Sequence, residues 1–182
     1  KKIDMHVHLS KSARRNYAAY KAAIKETGID EAVVFPLIRI NDMEETTENF
    51  PRIKQRIRNG NKYVLGVCDQ AKVDLHQFKY WWVNSDLEEM ERYSGLKWRR
   101  EDFEAGLSHR GMQSSKFNRV MEHARSNNKP IIFQDTYDNT MSFLDRYGKG
   151  QTVIIPHFGI ANGGYEKLKR AGVWSREGVY TD

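Results

Sequence analysis

Two histidines stand two residues apart near the start of the chain, in the run Ile3-Asp4-Met5-His6-Val7-His8-Leu9-Ser10. Polar and apolar residues alternate there, so on a strand Asp4, His6 and His8 share one face while Met5 and Val7 share the other. Strand residues two apart lie roughly 6 to 7 Å apart at Cα, which lets both imidazoles converge on one metal ion. A lone His-x-His arises easily by chance in a chain with six histidines. Its setting sharpens the signal, because the pair ends an apolar strand and leads into a polar loop. Zinc held by three protein ligands, with one position open, lowers the pKa of bound water toward about 7 and polarises a carbonyl. A carboxylate must then take the water proton.

These residues need a scaffold, and the hydrophobic pattern supplies one. Residues 16–27 read as an amphipathic helix with Tyr17, Tyr20, Ala23 and Ile24 on one face. Residues 32–37 form a continuous apolar run rich in β-branched side chains, the pattern of a strand buried on both faces. A helix is expected over 48–59, carrying Phe50, Ile53 and Ile57 inward and stopping at Gly60, followed by strand three at 62–67 (KYVLGV). The stretch 71–84, with Phe78, Tyr80, Trp81 and Trp82, reads as irregular. Ser85 and Glu88 suggest a capping box opening a helix over 86–93. Strand four follows at 95–98, then a long charged loop to 113 that contains His109. Phe117, Val120, Met121 and Ala124 mark a helix by their i, i+3, i+4, i+7 spacing. Strand five (130–134, PIIFQ) ends on Gln134, and strand six (152–157, TVIIPH) ends on His157. Helices are expected at 139–147 and 165–170, and a seventh strand begins at 178. Strands alternating with helices imply a parallel sheet, and the absence of Gly-x-Gly-x-x-Gly after strand one favours a (β/α)8 barrel over an open nucleotide-binding sheet. Barrels carry their chemistry at the carboxyl ends of strands, where His6, His8, Gln134 and His157 all fall.

Composition bounds the rest. At 182 residues and 39% hydrophobic the chain reads as one globular domain with a substantial core. No apolar run reaches the eighteen or so residues of a membrane span, and no apolar signal region opens the sequence, so a cytoplasmic protein is expected. A single cysteine, Cys68, excludes an internal disulfide. The net charge of +6 gathers at residues 52–58, 97–100 and 167–170, interrupted by an acidic run at 42–48. Such clusters could serve a phosphate-bearing partner, but separated runs are better read as solvated helix faces, so nucleic acid is not the expected partner.

The segments IDMHVHLS, GLK, PIIFQD, IIPHFG and VYTD together resemble the amidohydrolase superfamily of TIM-barrel metal enzymes, in particular its amidohydrolase-related branch. That resemblance implies a metal-dependent hydrolase acting on a C–N or C–O bond of a small organic substrate, or a related decarboxylase or hydratase. It implies that His6 and His8 bind a divalent metal, usually zinc, with manganese or iron as alternatives. His157 would bind metal or contact substrate. The family's strand-five histidine falls on Gln134, an amide and a poorer zinc ligand, which would instead hydrogen-bond water or substrate. Its strand-eight aspartate has no counterpart, leaving Asp135, Asp138 and Asp182 as the available carboxylates. Lys97 could be a carbamylated ligand as in binuclear members, or an ordinary strand-four lysine pairing with a carboxylate. His76 and His123 read as structural, His109 as a solvated loop residue, and Trp81 and Trp82 as a lid, a subunit contact or packing.

Two other classes stay open: a metal-dependent phosphoesterase or nuclease on a related barrel, and a barrel that has lost its chemistry. Ending in strand seven would leave strands one and seven with open edges. The expectation is therefore further chain supplying strand eight and an aspartate, or a partner subunit covering the gap in a homo-oligomer.

Overall fold

The structure is a computed structural model that describes residues 1–38, 50–71, 74–81, 89–99 and 111–182, with the Phe50 side chain left aside. His109, Trp82, Arg100, the acidic run at 42–48 and the Ser85–Glu88 capping box lie outside the described residues. The chain divides into two compact units, residues 1–80 with 88–94, and residues 81–87 with 95–182.

In the first unit, β1 (Ile3–Leu9), β2 (Glu31–Pro36) and β3 (Asp74–Trp81, whose last residue belongs to the second unit) run parallel, with β2 paired to both β1 and β3. Helix α1 (Tyr17–Ile24) follows β1, opened by Asn16, whose side chain accepts from the Ala19 amide. Helix α2 (Phe50–Gln70) follows β2. Val7 and Leu9 of β1 and Ala32 and Val34 of β2 pack with Val64 of α2, and Tyr20 of α1 closes the cluster. That cluster takes the outward face of the strands, so His6 and His8 occupy the opposite face, as the alternation in β1 predicts.

Strand three is not where the apolar pattern puts it. Residues 62–67 belong to α2, and the strand is Asp74–Trp81, inside the stretch expected to be irregular. The helix runs through Gly60 because its apolar stripe does not stop there. Ile53, Ile57, Asn61, Val64 and Leu65 are all buried, at helical spacing. Complete burial of Ile53 and Ile57 contributes about 1.5–3 kcal/mol each. Asn61, buried in the middle of that stripe, is satisfied at both ends of its amide. Its oxygen accepts from the Tyr80 N–H at 2.9 Å and its NH2 donates to the Tyr80 carbonyl at 3.0 Å, clamping α2 to β3.

The second unit repeats the strand–helix unit. Its elements are β4 (Gly95–Arg99), α3 (Ser115–Ser126), β5 (Ile131–Gln134), α4 (Tyr137–Tyr147), β6 (Val153–Ile155), α5 (Tyr165–Arg170) and β7 (Val179–Thr181). The strands pair in parallel and in sequence order, β4 to β5 to β6 to β7. Ser114 and Thr136 cap α3 and α4 through side-chain oxygens. Between sheet and helices lies an aromatic layer. Phe133 stacks on Phe143 at 4.0 Å, and Trp98 lies parallel to Phe133 and edge-on to Phe117. Trp81 joins this layer, 2% exposed and 5.1 Å from Trp98, which makes it core rather than lid.

Parallel strands in sequence order, the first six each followed by a helix or helical turn, make this a (β/α)8-barrel type of architecture, with seven strands among the described residues. No helix among the described residues is long and apolar enough to cross a membrane.

Candidate functional site

His6 and His8 sit near the carboxyl end of β1, each partly buried, with ring centroids 5.2 Å apart and planes tilted by 56°. Phe35, level with His8 on β2 and fully buried, meets both imidazoles edge to face at 4.9 and 4.6 Å. It gives the pair an apolar floor and limits their rotation. Just upstream the β1–β2 register shifts between Asp4 and Val7, and the Asp4 carboxylate accepts the His6 backbone N–H at 3.2 Å. Asp4 also lies 3.5 Å from the Tyr20 hydroxyl, whose pKa is pushed up to about 12 by burial and then by that carboxylate.

The spacing of the two rings matches that of two imidazole ligands on one divalent cation. Two imidazoles bound tetrahedrally at Zn–N distances of about 2.0–2.1 Å place their ring centroids roughly 5 Å apart, close to the 5.2 Å seen here. Imidazole nitrogen is also a donor that suits zinc and iron.

In the second unit the structure places Gln134 as the last residue of β5 and His157 two residues beyond β6. Lys97, fully buried on β4, donates to Gln134 Oε1 at 2.8 Å. An ammonium has no acceptor, so the amide oxygen must face it and the Gln134 NH2 remains as a donor. The structure thus gives Lys97 an amide as one partner.

His157 opens a turn in which three consecutive residues, His157, Phe158 and Gly159, have positive φ (57°, 50° and 74°). The left-handed conformation costs the non-glycine residues about 1–2 kcal/mol each. Asp182, directly after β7, holds the turn by accepting the His157 backbone N–H at 2.6 Å, and its carboxylate lies 3.9 Å from His157 Nδ1. Gly159 suits the turn, since its φ of 74° strains any residue that carries a Cβ. Backbone strain of this kind collects at functional positions.

Of the remaining candidates, Asp135 is buried and accepts from Trp98 Nε1, Asn139 Nδ2 and the Thr136 amide. Asp138 is exposed in the first turn of α4. His76 pairs with Glu31 at 2.8 Å near the amino ends of β2 and β3, and His123 is on α3. Lys1 and then His76 hold the Glu31 carboxyl below its ordinary range.

Against solved structures, an amidohydrolase II aligns over 100% of this chain and 78% of its own, with a TM-score of 0.66 and 14% identity. The likeness is one of fold. A probable 2-pyrone-4,6-dicarboxylic acid hydrolase from Acinetobacter baumannii, solved with citric acid bound, aligns over 87% of this chain with a TM-score of 0.59 and 14% identity. A dihydroorotase from Campylobacter jejuni aligns over 99% with a TM-score of 0.54 and 12% identity. This chain spans 58% and 52% of the lengths of those two enzymes. No protein-family model matches the sequence, and no curated protein matches it.

Three features escape a reading of the sequence. Phe35 is hidden in an apolar run that looks like ordinary strand core. The Lys97–Gln134 bond joins residues 37 apart. The Asp182 contact with His157 had one signal, an aspartate at the end of a strand pattern.

Proposed function

We propose that this chain is a metal-dependent hydrolase of the amidohydrolase type that cleaves a C–N or C–O bond of a small organic substrate, or a related decarboxylase or hydratase. The observation that carries the reading is the His6–His8 pair on β1, spaced for one cation and floored by Phe35. In this reading His6 and His8 hold a divalent cation, zinc before manganese or iron. When bound, the cation lowers the pKa of water toward about 7 and polarises a carbonyl. The chain's own residues then divide the remaining work. Gln134, its oxygen engaged by Lys97, donates from its NH2 to a substrate or water oxygen. Asp182, beside His157, is the carboxylate suited to take a proton, because Asp135 is already occupied by three donors.

The test is hydrolysis of a panel of simple esters, lactones and cyclic amides by zinc-loaded protein. Turnover that disappears with a chelator and returns with metal is expected. Turnover of an aryl phosphate with manganese, and of nothing else, would move the assignment to a phosphoesterase. Metal uptake without any turnover would favour a barrel that has lost its chemistry, a reading to which the replacement of an imidazole by Gln134 lends specific support.

A further inference from the structure

The left-handed turn at His157, Phe158 and Gly159 is gripped at both ends. Asp182, after β7, takes its first amide. At its far end the Gly159 carbonyl accepts from the Asn162 N–H at 2.9 Å and from the Gly164 N–H at 2.8 Å. The Asn162 side chain then reaches away from the turn. It is fully buried, and Nδ2 donates to the Phe133 carbonyl at 3.2 Å and to Thr140 Oγ1 at 2.8 Å. The partners fix these roles. A carbonyl can only accept, and the Thr140 hydroxyl already gives its hydrogen to the Thr136 carbonyl at 2.7 Å, so both receive from the amide. Thr140 is fully buried as well, so water does not compete for the bond.

The place of this contact matters. The β5–β6 ladder pairs Ile131 with Val153 and Ile132 with Ile154. Phe133 lies one residue past the last pair, and there the loop after β6 provides a donor through Asn162. The next residue is Gln134, the last of β5. One buried side chain therefore ties the backbone beside Gln134 to a loop whose own amide holds the His157 turn. Two consecutive non-glycine residues in the left-handed region persist only where their surroundings hold them there.

We infer that Asn162 is a positioning residue, which locks the strained His157 turn to the end of β5 and so sets how Gln134 and His157 are arranged. It acts through the backbone on either side of it. That Gln134 and His157 work on a substrate rests on the hydrolase reading; that Asn162 holds them does not.

The experiment is native-state amide hydrogen exchange followed by NMR on the full chain, without added metal or substrate. It compares the wild type with Asn162→Ala, Thr140→Val and Thr140→Ser. In Asn162→Ala the amides of His157 through Ile160 should exchange about tenfold faster or more, measured against those of Val120, Met121 and Ala124 in α3, because the turn opens locally while the core stays closed. Thr140→Val keeps the shape but removes the acceptor, and should show the same effect to a smaller degree. Thr140→Ser keeps the hydroxyl and should behave as the wild type. The side-chain NH2 signals of Gln134 and the ring signals of His157 should shift in Asn162→Ala and stay in place in Thr140→Ser, a signature that a loss of overall stability does not produce. If Asn162→Ala fails to fold, Thr140→Val decides the matter by the same readings. Three results would overturn the inference: wild-type exchange at the turn in the folded variant, equal acceleration in the turn and in α3, or unmoved Gln134 and His157 signals. A wild type that takes up no metal or hydrolyses nothing would end the hydrolase reading and leave this result standing.

Discussion

Asp135, Asp138 and Asp182 look interchangeable in the sequence, and their surroundings separate them. Asp135 is 2% exposed and receives hydrogen bonds from Trp98, Asn139 and Thr136. Its charge is spent on holding β4, β5 and α4 together. Trp98→Phe keeps the ring and deletes one donor to a buried carboxylate, so it should destabilise the protein by about 2 kcal/mol, measured by urea denaturation. No loss would mean that the indole N–H contributes nothing to holding Asp135. None of this was readable in advance, because the donor lies 37 residues from the acceptor and Trp98 reads as an ordinary apolar strand residue. Cys68 offers a second check. It packs against the α2–β1–β2 cluster, and burial, with a smaller contribution from Asp69, pushes its thiol up to about 12. A raised value means the thiolate is nearly absent at pH 8, so a disulfide reagent should label folded protein far more slowly than protein unfolded in urea. Equal rates would show that Cys68 is neither buried nor shifted.

Helix α2 shows where pattern and packing part company. Gly60 looks like a stop signal, yet it sits inside the helix because of what it faces. A Cβ there would lie 2.8 Å from Pro36 Cβ and 2.6 Å from Ile38 Cδ1, so glycine lets the helix approach the end of β2. Gly66, six residues on in the same helix, would meet nothing within 4 Å. The two should therefore respond in opposite ways to alanine. Gly66→Ala should stabilise by about 0.5–1 kcal/mol, the ordinary helix gain. Gly60→Ala should lose that gain and more to overpacking, for a net destabilisation of about 1 kcal/mol. Urea denaturation of both variants checks this, and equal stabilisation would place Gly60 away from β2. Strand β1 was legible because its alternation is strict and both of its faces have work to do. Strand three was not, since KYVLGV carries β-branched residues and only the stripe from Ile53 through Leu65 shows it to be helical.

Across the whole chain, the strand–helix alternation and the histidines near strand ends were visible in the residues themselves. The alignments at 12–14% identity over 87–100% of the chain agree with that fold. What stayed hidden depends on contacts between residues distant in sequence: the Phe35 floor, the Lys97–Gln134 bond and the anchoring of His157 by Asp182. The central claim is that His6 and His8 hold a divalent metal, and elemental analysis of purified protein after zinc loading and dialysis tests it most directly. The account predicts about one zinc per chain in the wild type and essentially none in His6→Ala/His8→Ala, with both proteins folded by circular dichroism. Equal zinc in the two proteins, or none in the wild type, would contradict it.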